Sequence, residues 1–261
     1  MIPKIIHYCW FGGAEKSPLI LKCIETWRKK MPDYQLIEWN EQNFDLQSVP
    51  FVREAYEARK WAFVADYVRL YAMYHHGGVY MDTDVKVMKP YDEFLQYSFF
   101  TCQEAHPDMA VEGAVNPDGT HNHAIKYVKD IGLCSAVMGA EQGLPFLKDC
   151  LDYYNSIHFE VEHKEDYIIV YLLSNILENY GYRYVLDRDQ YLEGNMAVFR
   201  PSVFAGMTTL NDQSYALHLY TGSWIGDKPS LKQRLRNNYP ALYSFVQSLF
   251  YLVRPPKKLK I

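Results

Sequence analysis

Two strand-like runs joined by one helical run open the chain, and that order leaves few folds available. Residues 3–11 (PKIIHYCWF) form an apolar stretch of strand length, closed by Gly12-Gly13. Residues 17–31 have helical spacing. Ser17 can cap the helix start, and Pro18 suits the first helical position, where no backbone N–H is needed. Leu21, Ile24 and Trp27 predict its apolar stripe, and Pro32 predicts its stop. Residues 34–39 alternate as a strand does. A β-α-β opening is the start of a parallel sheet with crossover helices.

A long helix is predicted from about 52 to 76, with Trp61, Val64, Ala65, Val68, Tyr71 and Ala72 at helical spacing. Gly77-Gly78 ends it, because glycine accepts the left-handed conformation of a helix C-cap. A short strand, Val79-Tyr80-Met81, then delivers Asp82-Thr83-Asp84, and 85–88 continues extended until Pro90. Residues 99–120 mix Pro, Gly, Asn and Asp and read as a functional loop. Helical periodicity returns at 144–154 and 166–179; 198–204 reads as strand and turn around Pro201, and 215–219 as a strand leading into Thr221-Gly222-Ser223-Trp224. The expected organisation is one domain over 1–238 and a tail over 239–261. In that tail Leu242, Phe245, Val246, Leu249, Phe250 and Val253 make an apolar stripe, followed by Arg254, Lys257, Lys258 and Lys260. Such a helix can lie on an anionic membrane surface or pack on the domain.

Composition narrows the function. The net charge is −4 and no long basic run precedes the C-terminus, which gives nucleic-acid binding little electrostatic support. The five cysteines are scattered without a CxxC pair, which argues against a zinc-cysteine site and suits a reducing compartment. No signal-peptide pattern or membrane-length apolar run is present, so the expected location is cytoplasmic, with peripheral contact at the cytoplasmic membrane face through the tail.

The chemistry is expected at Asp82 and Asp84. Two carboxylates two residues apart at a strand end can reach one small volume, and their oxygens suit Mg²⁺ or Mn²⁺. Such an ion bridges diphosphate oxygens and neutralises a departing leaving group. A lone aspartate-x-aspartate is more often a solvated turn; its context carries the reading. Asp66 and Arg69 are three apart and share a helix face among apolar neighbours. They are either an intrahelical salt bridge or a fork for sugar hydroxyls, carboxylate accepting and guanidinium donating. His75 and His76 read as helix C-terminal residues favoured by the helix dipole.

The block AxxDxxRxxxxxxxGGxYxDxD resembles that of the DXD-containing glycosyltransferases of the fungal α-1,6-mannosyltransferase and bacterial capsule type, a family 32-like group. It is also similar to the catalytic domain of the large clostridial glucosylating toxins. The opening IPKIIHYCWFGG and the later HLYTGSW at 218–224 are further matches. The resemblance implies a GT-A fold: an α/β nucleotide-binding sandwich with a mixed, mostly parallel sheet and additional helices. It implies sugar transfer from a nucleotide-sugar with retention of configuration. By that resemblance Trp10, with the backbone of 6–8 including Tyr8, would hold the base. Asp66 and Arg69 would hold the donor sugar, and Tyr80 and Asp82 would lie near ribose, diphosphate and metal. Asp84 would be the most direct metal ligand, His218 a further ligand or a phosphate contact, and Ser223 and Trp224 would close over the diphosphate.

The expected activity is therefore a metal-dependent hexosyl transfer to a glycan or lipid-linked acceptor in cell-surface polysaccharide synthesis. A UDP-sugar is the first donor and GDP-mannose the second. Glu141 and Gln142 stand as acceptor-side residues or as a solvated turn. Two rivals remain at this stage: a haloacid dehalogenase-like phosphatase using Asp82 as nucleophile and Asp84 as acid/base, and a nucleotide-sugar-binding protein without turnover.

Overall fold

A computed structural model describes residues 1–106, 109–129 and 131–221. The tail at 239–261 and Ser223-Trp224 lie outside the described residues. The opening unit is as the sequence predicts: β1 (Ile5–Cys9), α1 (Pro18–Lys30) and β2 (Gln35–Trp39), with β1 and β2 parallel. Ser17 caps α1, its side chain accepting from the Ile20 N–H. The buried face of α1 is Leu19, Ile20, Cys23, Ile24 and Trp27; Leu21 is 53% exposed. The predicted stripe is thus correct at Ile24 and Trp27, whereas Leu21 is one residue, about 100° of helix, past Ile20.

The long helix is two. After α2 (Pro50–Glu57) the chain breaks and restarts as α3 (Trp61–His76). Arg59 takes the left-handed conformation at φ 56°, with Arg59 N–H donating to the Tyr56 carbonyl and Lys60 N–H to Ala55. That is a Schellman ending made without glycine. Gly77 ends α3 as expected, its N–H bonded to the Met73 carbonyl.

The remaining strands are β3 (Gly78–Met81), β4 (Val85–Val87), β5 (Phe99–Ala105), β6 (Ile131–Leu133), β7 (Val137–Ala140), β8 (Gln190–Leu192), β9 (Met196–Phe199), β10 (Phe204–Ala205) and β11 (Ala216–His218). Helices α4 (Pro145–Asn155) and α5 (Ile169–Leu177) fall where periodicity places them. The loop expected from 99 instead begins with β5, and the irregular stretch starts only after Ala105. The main sheet runs β2-β1-β3-β7-β5-β9-β8, with β6 beside β5. By the pairing senses across it, β2, β1, β3, β5 and β9 point one way, and β7, β8 and β6 the other. This is the mixed, mostly co-directional α/β sheet expected.

One core lies between this sheet and α2 to α5; the other lies between the sheet, α1 and a small β10-β11-β4 sheet. The α1 face fixes the strand that leaves the aspartates, β4. Trp27, fully buried, donates its indole N–H to the Val85 carbonyl at 2.7 Å, and Thr26 Oγ1 accepts from Val87 N–H at 2.9 Å.

Candidate active site

Strands β1 and β3 are parallel, with Ile6 opposite Val79 and His7 opposite Tyr80. Their C-terminal ends therefore form one edge, the usual ligand edge of such sheets. Trp10 leaves β1 there and Asp82 leaves β3. A turn closed by Val85 N–H to the Asp82 carbonyl, 3.0 Å, brings Asp84 round. Antiparallel pairing of β11 with β4 sets His218 opposite Val85, so a residue 134 positions later stands beside Asp84.

Asp82, Asp84 and His218 each present one ligand atom within 4.8 Å of the others. His218 Nε2 is 3.3 Å from Asp84 Oδ1. Asp84 Oδ2 accepts from the Thr221 N–H at 2.7 Å and its hydroxyl at 2.9 Å. Burial works against the charge on Asp84, but His218 and the two Thr221 bonds outweigh it and hold the carboxyl well below the usual carboxylate range. Burial likewise opposes charge on His218, and the Asp84 carboxylate overcomes it, raising the imidazole to about 10. Two hard carboxylates and an imidazole in one small volume fit a divalent cation.

Behind this edge stands a buried charge cluster. Arg69, 5% exposed, pairs with Asp66 at 2.8 Å and Asp82 at 3.4 Å, donates to the Ser135 carbonyl at 2.7 Å and lies 4.5 Å over the Tyr80 ring. The Tyr80 hydroxyl donates to Asp82 Oδ1 at 2.9 Å. Arg69 is thus the salt-bridge partner weighed from the sequence, extended to a second carboxylate. Its place is beneath the site, aligning Asp66 and Asp82. Burial raises Asp66 to about 7; Arg69 opposes that shift and Asp82 adds to it.

The base-side residues are split. Trp10 is half-buried, its indole N–H donating to the Ala14 carbonyl and its ring under Lys16 at 5.1 Å. The Tyr8 ring is buried edge-on against Trp27, so only its backbone is left for a ligand. Beside this edge opens a hollow of 770 Å³ lined by Gly12, Gly13, Glu41, Tyr56, Glu57, Arg59 and Trp61. Sequence reasoning does not assign Tyr56 or Trp61 to a site; their rings, 4.9 Å apart, are brought there by the α2–α3 break. Glu141 and Gln142 are not at this edge. They come after β7, whose Ala140 pairs with Gly78 at the opposite end of β3, and Gln142 donates to the His75 carbonyl. The turn reading holds there.

Other positioning groups have no signal in the sequence. Between β6 and β7 the chain kinks, turning the Ser135 carbonyl to Arg69 and the Ala136 carbonyl to Asp82 N–H. Thr101 bridges the kink through the Cys134 and Val137 carbonyls. His7, fully buried, meets the Gly77 carbonyl through Nε2 at 2.8 Å and accepts from the Trp39 indole at Nδ1. Burial lowers it to about 4, so the ring is neutral and pins the glycine turn.

Residues 18–101 match the family described as the glycosyltransferase sugar-binding region containing a DXD motif. Asp66, Arg69, Tyr80, Asp82 and Asp84 fall inside that match. Among curated relatives, the initiation-specific alpha-1,6-mannosyltransferase of Candida albicans is 28% identical over 159 residues, covering 57% of this chain and 41% of the relative. Inositol phosphoceramide mannosyltransferase 3 of Schizosaccharomyces pombe is 28% identical over 158 residues, covering 56% of this chain and 35% of the relative. The chain thus spans well under half the length of these relatives. Similar solved structures include the PaToxG glycosyltransferase, at TM-score 0.45 and 15% identity over 68% of this chain and 69% of that one. The galactosyltransferase LgtC aligns at TM-score 0.42 and 10% identity over 94% and 95%. The family resemblance read from the sequence is borne out over residues 18–101, which match the glycosyltransferase region containing a DXD motif.

Proposed function

We propose that this chain, which carries the glycosyltransferase DXD region, transfers a hexose from a nucleotide-sugar to a glycan or lipid-linked acceptor with retention of configuration. The convergence of Asp82, Asp84 and His218 on one sheet edge is the observation that carries the reading. These three residues would hold Mn²⁺ or Mg²⁺, and the ion, when bound, neutralises the leaving diphosphate. Asp84 is kept ionised against burial by His218 and Thr221, and Asp82 is oriented by Tyr80 and Arg69. Asp66, paired with Arg69 beside them, would accept from a sugar hydroxyl. The hollow by Trp61 has the size of a small-ligand site and is assigned to the nucleoside. Relatives named as mannosyltransferases support a mannose donor, so GDP-mannose and UDP-hexoses are both tested. The phosphatase reading is disfavoured, because residues 18–101 match a glycosyltransferase region containing a DXD motif.

The test is donor hydrolysis, which needs no acceptor. Purified protein is expected to release free hexose from one nucleotide-sugar only with Mn²⁺ or Mg²⁺. Asp82→Asn and Asp84→Asn are each expected to lose about 10²–10³-fold with the fold intact, the scale of removing one charge-stabilising group. Unchanged turnover in either variant, or phosphate release from simple esters, would sink the assignment.

A further inference from the structure

A second cluster of ligand atoms lies away from this edge. His121, His123 and Glu178 bring two imidazole nitrogens and a carboxylate oxygen within 4.8 Å of one another. Both histidines sit in the irregular segment between β5 and β6, and Glu178 caps the C-terminal end of α5. The segment is folded back by a turn: Gly119 N–H donates to the Asn116 carbonyl, Asn116 N–H to Thr120, and Val115 bridges His121.

His121 is 4% exposed. Its Nε2 meets the Ile125 carbonyl at 2.7 Å, and a carbonyl can only accept, so Nε2 carries the hydrogen. In its deprotonated form the ring therefore offers its lone pair at Nδ1. That atom is buried, has no hydrogen-bond partner among the described residues and faces Glu178 Oε1 at 3.7 Å. The gap is too long for a hydrogen bond. His123 Nε2 stands 3.6 Å from Glu178 Oε2. Tyr184 donates its hydroxyl to Oε1 at 2.8 Å and orients the carboxylate. Ligands about 2.0–2.2 Å from a tetrahedral ion lie about 3.3–3.6 Å apart, close to these separations. An imidazole whose other nitrogen is tied to a backbone carbonyl is the usual outer support of a metal-bound histidine.

We infer that His121 Nδ1, His123 Nε2 and Glu178 bind a zinc-class divalent cation, with solvent completing the coordination from the exposed side of His123. The ion clips the long β5–β6 segment to the end of α5. Long irregular segments inside a compact domain need such an anchor or a function of their own. This site is independent of the sugar-transfer reading.

The experiment uses the 261-residue chain carrying Asp84→Asn, so that the DXD edge is weakened, stripped of metal and titrated with Zn²⁺ alone and Co²⁺ alone. One equivalent of Zn²⁺ is expected to bind, and Co²⁺ is expected to show the intense visible absorption of a tetrahedral site. Adding His123→Ala, at a side chain 75% exposed, should cost more than the about 10–100-fold typical of an outer-shell partner and abolish the Co²⁺ absorption. Glu178→Gln should do the same. Binding by the Asp84→Asn protein that either second substitution leaves unchanged, or no Zn²⁺ binding at all, would overturn the proposal.

Discussion

Titrating metal-stripped protein with Mn²⁺ at pH 8 sets a cation against the proton that His218 already holds. Burial opposes charge on this imidazole, yet Asp84, 3.3 Å from Nε2, raises it to about 10. The ring is thus almost wholly imidazolium at pH 8, and removing its proton costs about 3 kcal/mol. Nε2 faces Asp84 and cannot offer a lone pair while protonated. The other groups contribute little to the count. Asp84 is held ionised, burial being outweighed by His218 and Thr221, and Asp66, raised by burial to about 7, has mostly ionised by pH 8. If His218 ligates the metal, each ion bound therefore releases about one proton, and affinity rises about tenfold per pH unit between pH 8 and 9. Calorimetry in two buffers of different ionisation enthalpy gives the proton count. His218→Gln should abolish both the release and the slope. No proton release and a pH-independent affinity in the unmodified protein would refute ligation and leave His218 as a cation beside the diphosphate.

Asp66 predicts a pH-dependent stability. Burial raises its folded value to about 7, against about 4 when unfolded. Between those values the native state keeps a proton that the unfolded chain has released, so stability falls as pH rises from about 4 to 7, by up to about 4 kcal/mol. The contribution is complete below pH 4 and gone above pH 7, and Asp66→Asn should flatten this part of a Tm profile of metal-stripped protein; an unaltered slope would count against it. Arg69→Met leaves Asp66 and Asp82 without their shared cation and should cost about 3–5 kcal/mol in denaturant unfolding, partly recovered by adding Asp66→Asn; equal losses with and without that second change would contradict the pairing. Gly78→Ala should cost more than Gly143→Ala, because an added methyl at Gly78 (φ 110°) meets the Ile5 carbonyl oxygen at 2.8 Å, while at Gly143 (φ 74°) it meets nothing. The second loses only the about 1–2 kcal/mol of left-handed backbone strain; equal melting temperatures would show the crowding to be relieved.

The parts of this fold legible in the sequence are those with a local cause. Ser17 and Pro18 start α1 through groups that the helix end itself needs, and Gly77 ends α3 because a left-handed turn favours glycine. The break at Arg59 is not legible, since a left-handed arginine has no compositional mark and the apolar spacing runs on through it. Leu21 misleads for a related reason: Leu19, Ile20, Leu21 and Ile24 are all apolar, and only packing selects the buried ones. β5 reads as loop because Phe99–Gln103 is buried on both faces and does not alternate. Residues 109–129 are held by long-range contacts that no local pattern encodes, such as Tyr184 N–H to the Gly119 carbonyl and Lys126 to Asp166.

The candidate site divides the same way. Asp82 and Asp84 can be read as a pair because two residues of strand end confine them. His218 joins them for a different reason. β4 begins at the residue after Asp84, and its antiparallel register with β11 sets His218 across from Val85. A ladder, unlike a loop, leaves the imidazole little freedom to move off the carboxylate. The same logic holds beneath the aspartates. His7 ties β1 to the Gly77 carbonyl and to Trp39, Trp27 ties α1 to Val85, and Arg69 ties α3 to Asp82 and Ser135. The contacts of His7 with Gly77, Trp27 with Val85 and Arg69 with Asp82 each join an element set early in the chain to the short stretch from 77 to 85. The aspartates are therefore aimed largely by groups buried away from any ligand, and substitutions at His7 or Trp27 should disturb metal affinity although neither can touch the ion.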